Sequence, residues 1–91
     1  MEIKWTSKAL SDLVRLYESL ALVDRQAAAH TVSILATAPR NLIAHPRLGE
    51  KLEEFEPREV RRILVGSYEL RYEIQGSTIF MLRLLHTREN R

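Results

Sequence analysis

The chain has no cysteine. That excludes a disulfide framework and any thiolate metal site, and it fits a reducing cytoplasm. No apolar run approaches the roughly 20 residues of a membrane-spanning helix. The N-terminal Met1-Glu2-Ile3-Lys4 lacks a signal-peptide pattern. The expected location is therefore the cytoplasm, with no membrane partner. Repeats, linkers and low-complexity tracts are absent. Excess charge is small, with a net +2 over 91 residues. That is too weak to imply DNA binding from the overall field, so any anion site must come from local clustering. The histidines, His30, His45 and His86, show no metal-ligand spacing, and no metal or cofactor is expected. What is present is 45% hydrophobic and 29% charged residues, which suits one soluble globular domain spanning residues 1–91.

The most informative stretch runs from Arg61 to His86. It reads as three short strands with two tight turns. Gly66-Ser67 has glycine first, as a type II′ hairpin turn prefers, and Gly76-Ser77 is the second turn. Tyr68, Leu70, Tyr72 and Ile74 alternate with Glu69, Arg71 and Glu73, the period of a half-buried strand. Upstream, Met1 to Trp5 reads as an edge strand. Thr6 or Ser7 offers a helix N-cap, and Leu10, Leu13, Val14, Tyr17, Leu20 and Ala21 follow as one helical stripe. Asp24 is a second N-cap. Gln26 to Ala38 is a good helix former, with Ala28, Val32 and Leu35 inward. Pro39 ends that helix or opens a further short turn through Ile43. His45-Pro46-Arg47-Leu48-Gly49 is turn chemistry, and Glu50 to Glu59 reads as an acidic loop. The fold class is α+β: an N-terminal strand, a two-helix antiparallel hairpin, and a C-terminal three-stranded antiparallel meander on which the hairpin packs.

A two-residue first turn pairs Val65 with Tyr68. It sets Ile63, Val65, Tyr68, Leu70, Tyr72 and Ile74 on the face that the helices must cover. A three-residue second loop adds Phe80, Leu82 and Leu84 to that face. It leaves Arg62, Leu64, Glu69, Arg71, Glu73, Ile79, Met81, Arg83 and Leu85 on the open face, with Glu69 opposite Arg83. Alternating Glu and Arg can simply keep an open face soluble. The bulky apolar members of that face argue instead for a partner covering part of it. Arg83→Glu would set two acids opposite each other and remove a cation from that face, and is expected to abolish the chain's activity with the fold retained.

The order strand, two helices, meander, with Pro46-Arg47-Leu48-Gly49, Val60-Arg61-Arg62-Ile63, Val65-Gly66-Ser67-Tyr68, Tyr72-Glu73-Ile74 and Ile79 through Leu85-His86-Thr87-Arg88, resembles the ParE/RelE superfamily of toxins from bacterial toxin–antitoxin pairs. The resemblance covers nearly the whole chain. It looks closest to the ParE branch, whose members block DNA gyrase; the RelE branch cuts messenger RNA on the ribosome. Many nuclease relatives carry Arg three residues before the tyrosine aligned with Tyr72, where this chain has Glu69. The tail Thr87 to Arg91 also lacks a terminal tyrosine. The resemblance therefore implies a non-catalytic gyrase inhibitor serving plasmid or chromosomal maintenance. Its partners would be gyrase and a cognate ParD-like antitoxin, in a heterotetramer or larger complex. Two alternatives stand beside it: a ribosome-dependent endoribonuclease using Arg71, Arg83 and His86, and a non-lethal interaction module.

Guanidinium pairs with carboxylate or phosphate through a planar fork. The candidates for target contact are Arg62, Arg71, Arg83, His86, Arg88 and Arg91. In the plainer reading these arginines neutralise neighbouring acids, and His86 fixes the tail. Ala9, Leu16 and Val23 recur every seven residues and, with Leu64 and Met81, are the candidates for antitoxin contact.

Overall fold

The computed structural model describes residues 1–88. β1 (Glu2–Trp5) leads into α1 (Ser7–Ala21), α2 (Arg25–Thr37), a 3-10 turn at Ala38–Arg40 and the short α3 (Asn41–Ala44). β2 (Glu50–Lys51), a 3-10 turn at Glu53–Phe55, β3 (Val60–Val65), β4 (Tyr68–Gln75) and β5 (Thr78–His86) follow. The strands form one sheet in the order β1-β5-β4-β3-β2, with β1 parallel to β5 and the other pairs antiparallel. The expected meander is thus the centre of a five-stranded sheet. β2 lies in the stretch read as a loop; a two-residue strand is too short to show a period.

Both helices start where side-chain chemistry satisfies their first amides. The Thr6 hydroxyl accepts from Ala9 N–H at 3.1 Å and donates to the Met81 carbonyl at 2.9 Å, so one residue caps α1 and ties it to β5. Asp24 accepts from the amides of Gln26 and Ala27. Pro39 opens the 3-10 turn, where its missing N–H costs nothing.

The first hairpin turns as expected, with Val65 opposite Tyr68. Gly66 has φ of +59° and no other kind of residue is left-handed among those described, so glycine is needed at that position. The second hairpin departs from expectation. Gly76-Ser77 is also a two-residue turn, setting Gln75 opposite Thr78, Ile74 opposite Ile79 and Tyr72 opposite Met81. Ile79 and Met81 therefore face the helices and are fully buried, whereas Phe80 lies on the other face opposite Glu73. A bulge at Leu82 then shifts the register, so that Arg71 faces Arg83, Leu70 faces Leu84 and Glu69 faces Leu85. One extra residue restores Leu84 to the core face, and Glu69 is not opposite Arg83.

The core unites Leu13, Leu35, Leu42, Leu70, Tyr72, Ile79, Met81 and Leu84, with Trp5 and Val32 packed against it. In α2 the inward residues Ala28 and Leu35 are buried as expected. In α1 the expected stripe is covered only in part, at Leu13, with Leu20 and Ala21 half-buried. Ala9, Asp12 and Leu13 are buried, whereas Leu10, Val14 and Tyr17 are 49%, 57% and 38% exposed. The helix is rotated so that a carboxylate faces inward, and the reason lies on β5. β1 ends opposite Met81, and beyond it Asp12 takes the edge amide of Leu84 at 2.9 Å. An unmet buried N–H would cost about 1–3 kcal/mol, enough to set the phase of one helix against a modest apolar gain.

The motif Pro46-Arg47-Leu48-Gly49 is held by Tyr72. Its buried hydroxyl accepts from Gly49 N–H at 3.0 Å and donates to the Pro46 carbonyl at 2.7 Å. Burial pushes the Tyr72 phenol above its usual pKa, so the hydroxyl keeps the proton it donates. No helix among the described residues is long and apolar enough to cross a membrane.

Candidate functional site

The alternation of β4 places Glu69, Arg71 and Glu73 on the face away from the helices. Glu69 is only 1% exposed. Its Oε1 accepts from Arg62 Nη1 at 2.9 Å, and its Oε2 accepts from Arg71 Nη2 at 2.8 Å and Nε at 3.1 Å. Arg62 also bonds Glu50 at 2.8 Å. The Arg71 guanidinium stands 5.5 Å from the Phe55 ring centre, a cation–π contact. Arg58, from the same segment, clamps Glu73 through two hydrogen bonds of 2.7 and 3.2 Å. Those bonds outweigh burial and hold the Glu73 carboxyl below its usual pKa. The face is therefore not the bare surface that alternation suggests. The segment carrying Phe55 and Arg58 lies against part of it, and ion pairs occupy its arginines.

A second group forms at the far end of β5. Asp12 Oδ2 accepts from Arg83 Nε at 2.8 Å as well as from the Leu84 amide, and its Oδ1 accepts from Arg15. Burial pushes the Asp12 carboxyl up, but the bonds from Arg83 and Leu84 and the charges of Arg83 and Arg15 outweigh it and leave the pKa below the usual value. One turn further along α1, a cleft of about 610 Å3 opens between that helix and the ends of β4 and β5. Arg15, Arg83 and Arg88 line it together with Tyr68 and His86. The Tyr68 and His86 rings meet edge to face at 5.2 Å, and His86 Nδ1 accepts from the Arg88 amide at 3.1 Å.

The six residues read as target contacts thus divide. Arg62 and Arg71 converge on Glu69. Arg83, His86 and Arg88 converge on the cleft. Arg91 lies outside the described residues. Arg71 and Arg83 are cross-strand neighbours, yet their guanidiniums are drawn to different carboxylates, Glu69 and Asp12.

Two antitoxin candidates need correction. Ala9 and Met81 are fully buried in the core and offer no surface. The cause is the phase of α1 for the first and the two-residue turn for the second. Leu16 is half-buried and lines the cleft, while Val23 and Leu64 are 91% and 60% exposed. Asp12, Arg15 and Tyr68 escaped the sequence reading as site residues. The available signal was Asp12 itself, an acid between Ala9 and Leu16 on the inward face. Among the described residues no group of three or more His, Cys, Asp or Glu could hold a metal ion.

This sheet order with its helices defines a small α+β fold. The solved structure titled "Chromosomal ParDE TA system from P. aeruginosa" superposes with a TM-score of 0.79 at 24% identity, covering 94% of this chain and 95% of that chain. That likeness establishes the fold. A comparison with curated proteins gave no match. The sequence itself matches the ParE toxin of type II toxin-antitoxin system, parDE, over residues 3–91, and the chain belongs to that family.

Proposed function

We propose that this chain is a cytoplasmic toxin that inhibits DNA gyrase without breaking covalent bonds, acting as one domain across residues 1–91. Inhibition works by holding a gyrase conformation, which leads to trapped cleavage complexes. A cognate ParD-like antitoxin neutralises it in a heterotetramer or larger complex, with the exposed Val23 and Leu64 as contacts. In this reading α1 and α2 form an antiparallel hairpin laid on the meander.

Membership of the ParE family supports the toxin assignment. The observation that carries the non-catalytic part is Glu69. Cleavage through a ribose 2′-OH needs a base for that hydroxyl, an acid for the departing oxygen and cations for the phosphorane. Arg62 and Arg71 are instead bonded to a carboxylate that is itself buried. Opening that cluster for a phosphate would break the ion pairs of a buried carboxylate, a loss of about 3–5 kcal/mol.

Two assays run side by side test the proposal: supercoiling by purified gyrase, and cleavage of messenger RNA on ribosomes. Inhibited supercoiling with intact RNA is the expected result. Cut RNA would establish the endoribonuclease alternative, and silence in both would leave a non-lethal interaction module.

A further inference from the structure

We infer that residues 53–58 form a strap across the sheet face opposite the helices, hinged at Leu52 and Glu59, and that it opens as a unit while the sheet beneath stays folded. Access to Arg71 and Glu73 is then governed by one ion pair, Arg58 with Glu73. The device is independent of the gyrase reading.

The ends of the segment are anchored and its middle is exposed. Leu52 is buried and donates its N–H to the Val60 carbonyl at 2.8 Å. The Glu59 carbonyl accepts from the Ile74 N–H at 3.0 Å, and the Glu59 carboxylate is held by Arg47 and Arg61. Between those anchors Glu53, Glu54, Glu56, Pro57 and Arg58 are exposed, and Phe55 is half-buried. The amides of Phe55, Glu56 and Arg58 donate to the carbonyls of Leu52, Glu53 and Phe55. These bonds travel with the strap, and none of them is a rung of the sheet. A segment with local backbone bonds and exposed residues belongs to the low-stability end of a fold and opens ahead of its core.

Side chains hold the strap down. Phe55 lies against the Arg71 guanidinium, and Arg58 clamps Glu73 through bonds of 2.7 and 3.2 Å. Arg58 is the one base of residues 53–58, against the acids Glu53, Glu54 and Glu56. Without it the strap is an acidic ribbon over a face that carries Glu69 and Glu73, and repulsion favours lifting. The Glu73 side chain is 7% exposed although it points away from the helices, while the Arg58 side chain above it is 54% exposed. Lifting the strap therefore admits water to the carboxylate as the pair parts, unlike a pair broken inside a core. The open form offers Glu73 and a face of the Arg71 guanidinium, which keeps its bonds to Glu69.

The test uses the full 91-residue protein. Phenylglyoxal, which adds to guanidinium, is applied at low dose. Mass spectrometry reads the modification rate of Arg71 beside those of exposed Arg40 and of Arg83. Hydrogen exchange of the β4 amides reports whether the sheet stays closed. Arg58→Gln removes the ion pair without altering Arg71 or Phe55, and Arg58→Lys restores the charge. In the wild type Arg71 should be modified tenfold or more slower than Arg40, with β4 protected throughout. In Arg58→Gln the Arg71 rate should rise fivefold or more, with Arg83 and the protection of β4 unchanged, and Arg58→Lys should lie nearer the wild type. An Arg71 rate unaltered by Arg58→Gln overturns the strap as a unit. A rise shared by Arg83, or accompanied by lost protection in β4, overturns local opening, because the pair would then be holding the sheet itself. A wild-type Arg71 rate equal to that of Arg40 overturns the closed state.

Discussion

Asp12 of α1 accepts the backbone N–H of Leu84 on β5 at 2.9 Å, a link between positions far apart in the chain. The same carboxylate holds Arg83 and Arg15. Asp12→Ala would orphan the Leu84 amide and leave Arg83 without this acceptor. The expected loss is about 1–3 kcal/mol, since Arg83 keeps some access to water. Urea denaturation monitored by circular dichroism measures it. A midpoint unchanged from wild type would mean that the link adds nothing.

Arg83→Glu changes meaning for the same reason. On the sequence alone it removes a surface cation and spares the fold. In the structure it sets a second acid against buried Asp12, so it should destabilise the protein by more than Arg83→Gln. Comparing the melting temperatures of the two variants decides the matter. Equal values would place Arg83 back among surface residues.

Stability should fall in acid. The folded-state pKa values of Asp12 and Glu73 both lie below their ordinary values. As the pH drops, the unfolded chain binds protons first, so protonation favours unfolding. The contribution is complete above the unfolded values, near pH 4, and is lost as pH falls through the lower folded ones. A melting-temperature series from pH 7 to pH 2 should show this limb, shallower in Asp12→Asn. An identical limb in that variant would remove Asp12 as a source.

Gly49 is the least substitutable glycine. A Cβ there would lie 2.5 Å from the Arg62 carbonyl and 2.7 Å from the Tyr72 hydroxyl. Gly49→Ala should cost about 1–3 kcal/mol through forced displacement. Gly66→Ala meets no atom within 4 Å and suffers only from its φ of +59°, about 1–2 kcal/mol. The two should therefore differ in kind. Gly49→Ala should also disturb Tyr72, visible as a changed near-ultraviolet signal, whereas Gly66→Ala should not.

Glu69→Ala tests the closed arginine cluster. Loss of the carboxylate leaves Arg62 and Arg71 half-buried without it and should cost about 3 kcal/mol. Messenger RNA should remain uncut by the variant. Ribonuclease activity appearing on removal of Glu69 would mean that a phosphate seat lay beneath it.

Much of the frame was legible in the residues. Thr6 and Asp24 announced the helix starts, Gly66-Ser67 announced a hairpin, and the alternation from Tyr68 to Ile74 announced its strand and which side is dry. These are local signals, set by backbone geometry and by period. The two faces of β5 were not legible. Thr78 to Leu85 is apolar at nearly every position, so no alternation reports the register, and the turn length and the bulge at Leu82 have equal and opposite effects on parity.

The chain by itself determined the class of fold and the ParE-type identity, because caps, turns and strand periods depend on neighbours in sequence. Only the tertiary structure decided where the arginines go. Guanidiniums settle on carboxylates that folding brings within reach, Glu69 for Arg62 and Arg71, Asp12 for Arg83. Those partners are chosen by the phase of a helix and the register of a strand, and both follow from satisfying buried polar groups across long separations in sequence.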